Sequence, residues 1–143
     1  MIRKFKTHDL DAVMQIWLNV NLEAHPFISE SYWKDHYDMV KRMLPAADLF
    51  ICEADNTIQG FAGLTDNYLA GIFVSSGSRS KGIGKALLDS VKEEHAELSL
   101  HVYKKNIRAV QFYKREDFII LNEQIDEDTD EIEFVMNWSK FKQ

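Results

Sequence analysis

Between Ser75 and Leu88 the chain reads SSGSRSKGIGKALL, and this stretch holds the residue types best suited to chemistry. Arg79, Gly82 and Gly84 fall in the pattern R-x-x-G-x-G, and an apolar-periodic run follows directly. The first amide N–H groups of a helix have no acceptor within it, and the helix dipole adds partial positive charge there. Glycines let an anion approach the backbone closely. Arg79, Ser80, Lys81, Gly82, Ile83, Gly84 and Lys85 are therefore expected to cradle a phosphate or diphosphate. Two common phosphate loops do not fit. Gly77 and Gly82 have the spacing of a nucleoside-triphosphate loop, but Ile83 stands where that loop needs its lysine. A dinucleotide fingerprint fails because Leu87 takes the place of the third glycine.

The remainder of the chain must position that loop. Its 143 residues suit a single domain, 1–143, with a full-sized core. The start, MIRKFKTHDLD, lacks the apolar centre of a signal peptide, and no apolar run approaches the length of a membrane span. A cytoplasmic protein is expected, and Cys52, the only cysteine, reads as a buried structural thiol within LFICEA. The net charge of −6 argues against general nucleic-acid binding. Nine of the 17 basic residues nevertheless cluster between Arg79 and Arg115, which suits a small polyanion.

Periodicity gives the order β-α-α-β-β-β-α-β-α-β-β, an α+β arrangement with helices on both faces of a mixed sheet. MIRKF opens as a strand, and Thr7 is expected to cap the first helix. Ser29 opens a second helix with Tyr32, Trp33 and Tyr37 on its buried stripe. DLFICEA and TIQGFAGLTD form a hairpin, YLAGIFV is a central strand, and the glycine-rich loop follows it. LSLHVY reads as a strand covered on both faces, and residues 106–114 as a short helix. FIILNEQ and EIEFVMNW close the sheet around an acidic turn.

On two blocks the chain resembles the GNAT superfamily of N-acetyltransferases. The first is AGIFV-SSGS-RSKGIG-KALL, an apolar strand, a linking loop and R-x-x-G-x-G entering an apolar helix. The second is LSLHVYKKNIRAVQFYKREDF, matching the family at Asn106, Ala109, Phe112, Tyr113 and Phe118. Asp117 replaces the usual glycine there, at a turn where a left-handed backbone is expected. AHPFI, YW and KALLD are similar to a small single-domain bacterial group of the family. The resemblance implies the GNAT fold, a mostly antiparallel central sheet flanked by about four helices. It implies acetyl-CoA or coenzyme A as cofactor and no metal. Ile72, Phe73 and Val74 would lie along the pantetheine arm, with the Val74 N–H polarising the thioester carbonyl. Asn106, Ala109 and Phe112 would line the cofactor.

The implied reaction is direct attack of a primary amine, from a small molecule or from a protein lysine or N-terminus, on the thioester. A lysine ammonium of pKa ~10.4 costs about 4–5 kcal/mol to neutralise at pH 7, so a base or a desolvating site is needed. His25 and Glu23 are the candidate bases, and a water chain without a single base is the alternative. Tyr113 matches the family tyrosine that gives a proton to the leaving sulfur. His25, Phe27 and Tyr68 are expected to line the acceptor cleft. Seven carboxylates between Glu123 and Glu133 read as a solvated turn, or as a lure for a cationic amine. A non-catalytic acyl-CoA-binding module on the same fold is the second reading, and either a monomer or a homodimer is compatible with the sequence.

Overall fold

The computed structural model describes residues 1–79 and 81–141. Its strands are β1 (Ile2–Lys4), β2 (Asp48–Ala54), β3 (Thr57–Thr65), β4 (Tyr68–Val74), β5 (Glu97–Tyr103), β6 (Ile119–Asp126) and β7 (Glu131–Ser139). Among the described residues the α-helices are α1 (Leu10–Ala24), α2 (Glu30–Met43), α3 (Ile83–Glu93) and α4 (Ile107–Arg115). The strands form one sheet in the order β1-β2-β3-β4-β5-β7-β6. Only β4 and β5 run parallel; every other neighbouring pair is antiparallel. This is the α+β arrangement expected from the sequence, with two helices on each face. No helix among the described residues is long and apolar enough to cross a membrane.

Local chemistry explains the element ends. Asp55 and Asn56 both take positive φ, 54° and 60°, as a tight β2–β3 hairpin requires. Asp117 has φ 74°, the left-handed geometry expected where the family pattern carries glycine. The Ser29 hydroxyl accepts the Ser31 N–H and starts α2. Thr7 does not cap α1 as expected. Residues Thr7–Asp9 form a 3-10 turn, and the Asp9 carboxylate accepts the Lys6 N–H at 2.7 Å. Arg3 holds Asp9 in that place through paired hydrogen bonds of 2.8 and 2.9 Å.

One face of the sheet packs Leu64, Leu98, Leu100 and Met136 against Leu87, Leu88 and Val91 of α3. The other packs Leu49, Ile51 and Phe61 against Val13, Met14 and Trp17 of α1 and Trp33 of α2. Cys52 is buried in the first of these cores. Because α1 sits over β3 and β4 and α2 packs on α1, the corresponding face of β5 is left open. Leu98, Leu100 and Val102 point into the core, whereas His101 is exposed and Ser99 and Tyr103 are half-buried. The expectation that β5 is covered on both faces is corrected on this point.

Two irregularities pull the middle of the sheet apart. Gly63 pairs with Gly71 but Leu64 pairs with Leu69, so Ala70 is an extra residue in β4. Tyr68 with Ser99 is the one register pair joining β4 to β5, and beyond it the parallel strands diverge.

Candidate active site

The divergence leaves backbone groups facing a gap. Ser75 donates to the Gln59 carbonyl at 3.0 Å, so strand alternation sends the Phe73 N–H toward β3 and those of Ile72 and Val74 away from it. On β5, Lys104 donates to the Ile132 carbonyl at 2.9 Å, so the N–H groups of His101 and Tyr103 point back toward β4. Two phenols occupy the gap. The Tyr113 hydroxyl, from α4, lies near the Ile72 N–H, and the Tyr68 hydroxyl near the His101 N–H, each close enough to favour the phenolate slightly. Burial raises the pKa of both above the usual phenol value. Each phenol thus keeps its proton to give.

Two cavities meet at this point. One, of about 410 Å³, is lined by Val74, Arg79, Gly82, Ile83, Gly84, Lys85 and Phe112. The other, of about 390 Å³, is lined by His25, Trp33, Tyr68, Phe73, His101, Tyr103, Asp126 and Glu133. Ile72, Asn106, Ala109 and Tyr113 line both. A molecule lying along the first cavity therefore presents its end to the second beside the Tyr113 hydroxyl.

The first cavity fits an elongated polyanion. Gly82 caps α3 in the left-handed conformation, φ 76°, and no side chain caps the helix. The first helical bond runs from the Ala86 N–H to the Gly82 carbonyl at 3.0 Å, so the N–H groups of Ile83, Gly84 and Lys85 have no helical acceptor. A Cβ at Gly84 would meet Phe112 no closer than 3.6 Å, so packing within the protein does not demand glycine there. Its absent side chain leaves room on the cavity wall. Arg108 and Arg115 line the same cavity, and among the described residues neither forms a salt bridge. The sequence reading did not single them out, although Arg108, Phe112 and Arg115 share a helical face at i, i+4 and i+7. The Lys85 ammonium turns instead to Glu116 at 3.2 Å and Asp89 at 3.4 Å. Lys81 does not line the cavity, and Ser80, expected in the same loop, lies outside the described residues.

The candidate bases fare differently. Glu23 lines neither cavity and pairs with Arg79 at 3.2 Å, so it is not placed to take a proton in the cleft. His25 does line the second cavity, stacked on Trp33 at 5.3 Å and edge-on to Tyr103 at 5.1 Å. The Asn106 carbonyl oxygen accepts the Ala109 N–H at 3.3 Å, which leaves its amide to donate to His25 Nε2 at 3.2 Å. The ring proton therefore sits on Nδ1, which has no partner of hydrogen-bond geometry, although the Asn21 carbonyl lies near enough to favour the charged form slightly. Burial dominates and lowers the His25 pKa to about 4. A nitrogen this weakly basic draws little on an ammonium proton, which argues against His25 as the base. Phe27 does not line the cavity; it props His25 and Tyr103 from behind, with ring centroids at 5.6 and 5.8 Å.

The acidic hairpin contributes to the cleft. Asp126 accepts the Tyr103 hydroxyl at 2.6 Å, and Glu133 accepts from Gln124 at 2.8 Å. Their charge helps to raise the pKa of Tyr68 and of Tyr32, though burial is the larger cause in both.

Known proteins are similar over nearly the whole chain. Residues 10–118 match the model of the acetyltransferase (GNAT) family. The peptidyl-lysine N-acetyltransferase YiaC of Escherichia coli (strain K12) is 34% identical over 140 residues, covering 96% of each chain. The peptidyl-lysine N-acetyltransferase YjaB of the same organism is 29% identical over 119 residues, covering 82% of this chain and 80% of that one. In three dimensions the apo form of Escherichia coli YjaB superposes with a TM-score of 0.85 at 23% identity over 96% of both chains. The PaiA N-acetyltransferase of Thermoplasma acidophilum in complex with coenzyme A superposes with a TM-score of 0.73 at 22% identity, over 97% of this chain and 98% of that one. With residues 10–118 matched by the family model and 34% identity to YiaC over 96% of each chain, the chain belongs to the GNAT family of acetyltransferases.

Proposed function

We propose that this protein transfers an acetyl group from acetyl-CoA to the side-chain amine of a lysine within a polypeptide. The observation that carries the reading is the meeting of the two cavities at Ile72 and Tyr113. The polypeptide acceptor is supported by the similarity to YiaC and YjaB, both named peptidyl-lysine N-acetyltransferases. A cytoplasmic setting accords with this reading, since both are bacterial proteins.

Acetyl-CoA, when bound, supplies the acetyl group as an activated thioester. The Ile83, Gly84 and Lys85 amides hold its diphosphate, and Arg108 and Arg115 add positive charge at the rim. The Val74 N–H, set back in the first cavity, serves an amide of the pantetheine arm. The Ile72 N–H, at the junction itself, polarises the thioester carbonyl. This moves the polarising amide from Val74 to Ile72, two residues closer to the acceptor, because Ile72 is the one beside the Tyr113 hydroxyl. Tyr113 keeps its proton through the neutral range and delivers it where the departing sulfur needs one. Tyr68, at the start of the same strand, steadies the incoming amine. Neither His25 nor Glu23 serves as base. The ammonium sheds its proton to water in the open cleft, helped by the apolar wall that Trp33 and Phe73 provide.

The test is release of free thiol from acetyl-CoA with a lysine peptide, together with mass spectrometry of the peptide. Acetylation of the lysine side chain is expected. In Tyr113→Phe, kcat should fall about 10²–10⁴-fold. Cofactor binding without any transfer, across peptides and small amines, would point to the sensor-module reading instead.

A further inference from the structure

The carboxylates of the β6–β7 hairpin divide by partner. Glu123 pairs with Lys104 at 3.2 Å and Glu131 with Lys105 at 3.2 Å. The two that line the acceptor cavity, Asp126 and Glu133, have no lysine or arginine partner among the described residues. Asp126 receives the Tyr103 hydroxyl and the Asp128 N–H, and Glu133 receives the Gln124 amide with His101 at 3.5 Å. These donors hold the carboxylates in place, and only His101 could bring a charge.

Strand register places the pair along the cleft. Asp126 lies opposite Glu131 and Gln124 opposite Glu133, so Asp126 and Glu133 are diagonal neighbours, roughly 7–8 Å apart at the backbone. Their contacts order them. Glu133 lies 3.5 Å from His101, whose ring meets that of Tyr68 at 5.3 Å, whereas Asp126 ends β6 at the hairpin turn. Glu133 is thus the inner carboxylate and Asp126 the one at the mouth. A second feature of the same cavity lacks a partner. Trp33 is 8% exposed, lines the cavity, and its indole N–H meets no acceptor. A buried donor left unpaired is costly, and a peptide carbonyl is an acceptor that could relieve it.

We propose that Asp126 and Glu133 select an acceptor segment carrying a second positive charge one or two residues from the reacting lysine. This rests on the lysine-acetyltransferase reading above. Carboxylates holding the reacting ammonium itself would stabilise its charged form and oppose deprotonation. Holding a neighbouring residue's charge adds binding without that penalty. An extended chain advances about 3.3 Å per residue, so side chains two apart are separated by about the spacing of the two carboxylates. With the lysine reaching past Tyr68 to the junction, the neighbouring cation rests on the Asp126–Glu133 wall and a segment carbonyl faces Trp33.

The experiment compares two extended peptides with one lysine each, one flanked by arginines and one by glutamines. Wild type should favour the arginine-flanked peptide about five- to tenfold in kcat/KM at low salt, mostly through KM, and the preference should shrink as salt rises. In Asp126→Asn combined with Glu133→Gln, the ratio should collapse to about one. Glu123→Gln, on the opposite face, should leave the ratio as in wild type. Equal kcat/KM for the two peptides in wild type, or a preference that survives the double substitution, overturns the inference while leaving the lysine reading intact. Failure to acetylate either peptide, with cofactor bound, overturns both.

Discussion

Replacing Gly84 by alanine separates what the fold needs from what the cofactor needs. A Cβ at this position finds Phe112 at 3.6 Å and Val74 at 3.9 Å, both ordinary contacts, and the residue lies in the first turn of α3 without positive φ. The unliganded protein should therefore tolerate Gly84→Ala, and gain up to about 0.5–1 kcal/mol from the better helix propensity. The same methyl group occupies the wall against which a diphosphate would lie. Crowding of one carbon at a close-packed contact costs about 2 kcal/mol, or roughly 30-fold in affinity. At acetyl-CoA 100 times above the wild-type Kd, binding adds about 2.7 kcal/mol to wild type but only about 0.9 kcal/mol to the variant. With about 3–4 °C per kcal/mol at this chain length, the ligand-induced rise in Tm should drop from about 9 °C to about 3 °C. Differential scanning fluorimetry with and without acetyl-CoA reads both quantities. A variant that keeps the full ligand-induced rise, or that loses stability without ligand, would refute the assignment of this helix start to the cofactor.

Two further outcomes concern proton linkage. His25 is neutral in the fold with its pKa lowered from 6.5 to about 4, so the unfolded chain binds the extra proton between those values. Its contribution to stability is full above pH 6.5 and is lost as pH falls toward 4, a change of a few kcal/mol. His25→Gln should flatten urea-derived stability over that window, and the pH–kcat profile should lack an inflection that moves with this substitution. Asp9 is the carboxylate counterpart, with Arg3 holding its pKa below the ordinary 3.8. That stabilisation is present above pH 3.8 and is lost on further acidification. Asp9→Asn should cost about 3–5 kcal/mol at pH 7, because the partly buried Arg3 then keeps only Glu53 as a charged partner, and the loss should narrow as pH drops below 4.

The strand and helix order and the cofactor cavity were legible because they rest on local rules. Helical spacing, the Asp55–Asn56 turn and the glycines at 82 and 84 each signal their role within a few residues of sequence. The acceptor cavity was legible only in part. Tyr68 is brought to it as expected, but Phe27 ends up behind His25, since the aromatic cluster around Tyr103 fills that space. Glu23 has the spacing of a cleft residue at the end of α1, yet it turns outward to Arg79. No local rule could assign this, because the two residues are joined only when the glycine-rich loop folds back over α1. The inward turn of Asp126 and Glu133 depends on the β5–β7–β6 register, a non-local property. Their period-2 spacing on each strand restricts them to a face without saying which face is the open one.

The splay between β4 and β5 gives the tyrosines a second duty that any activity assay must reckon with. A gap in a sheet strands backbone N–H groups, each costing about 1–3 kcal/mol if buried without a partner. Tyr113 and Tyr68 place their hydroxyls beside two of them, at Ile72 and His101. Tyr113→Phe therefore removes a proton donor and also the polar group beside the Ile72 amide, and a drop in kcat alone does not say which loss matters. The two are separated by the leaving group. If the phenol acts by protonating the departing sulfur, an acetyl thioester of a more acidic thiol needs that proton less, and the defect of Tyr113→Phe should shrink by tenfold or more. If the hydroxyl merely holds the gap in shape, the defect should be the same for both thioesters and should track a fall in Tm. An undiminished defect with the activated thioester would remove Tyr113 from the chemistry and leave it as the prop of a widened sheet.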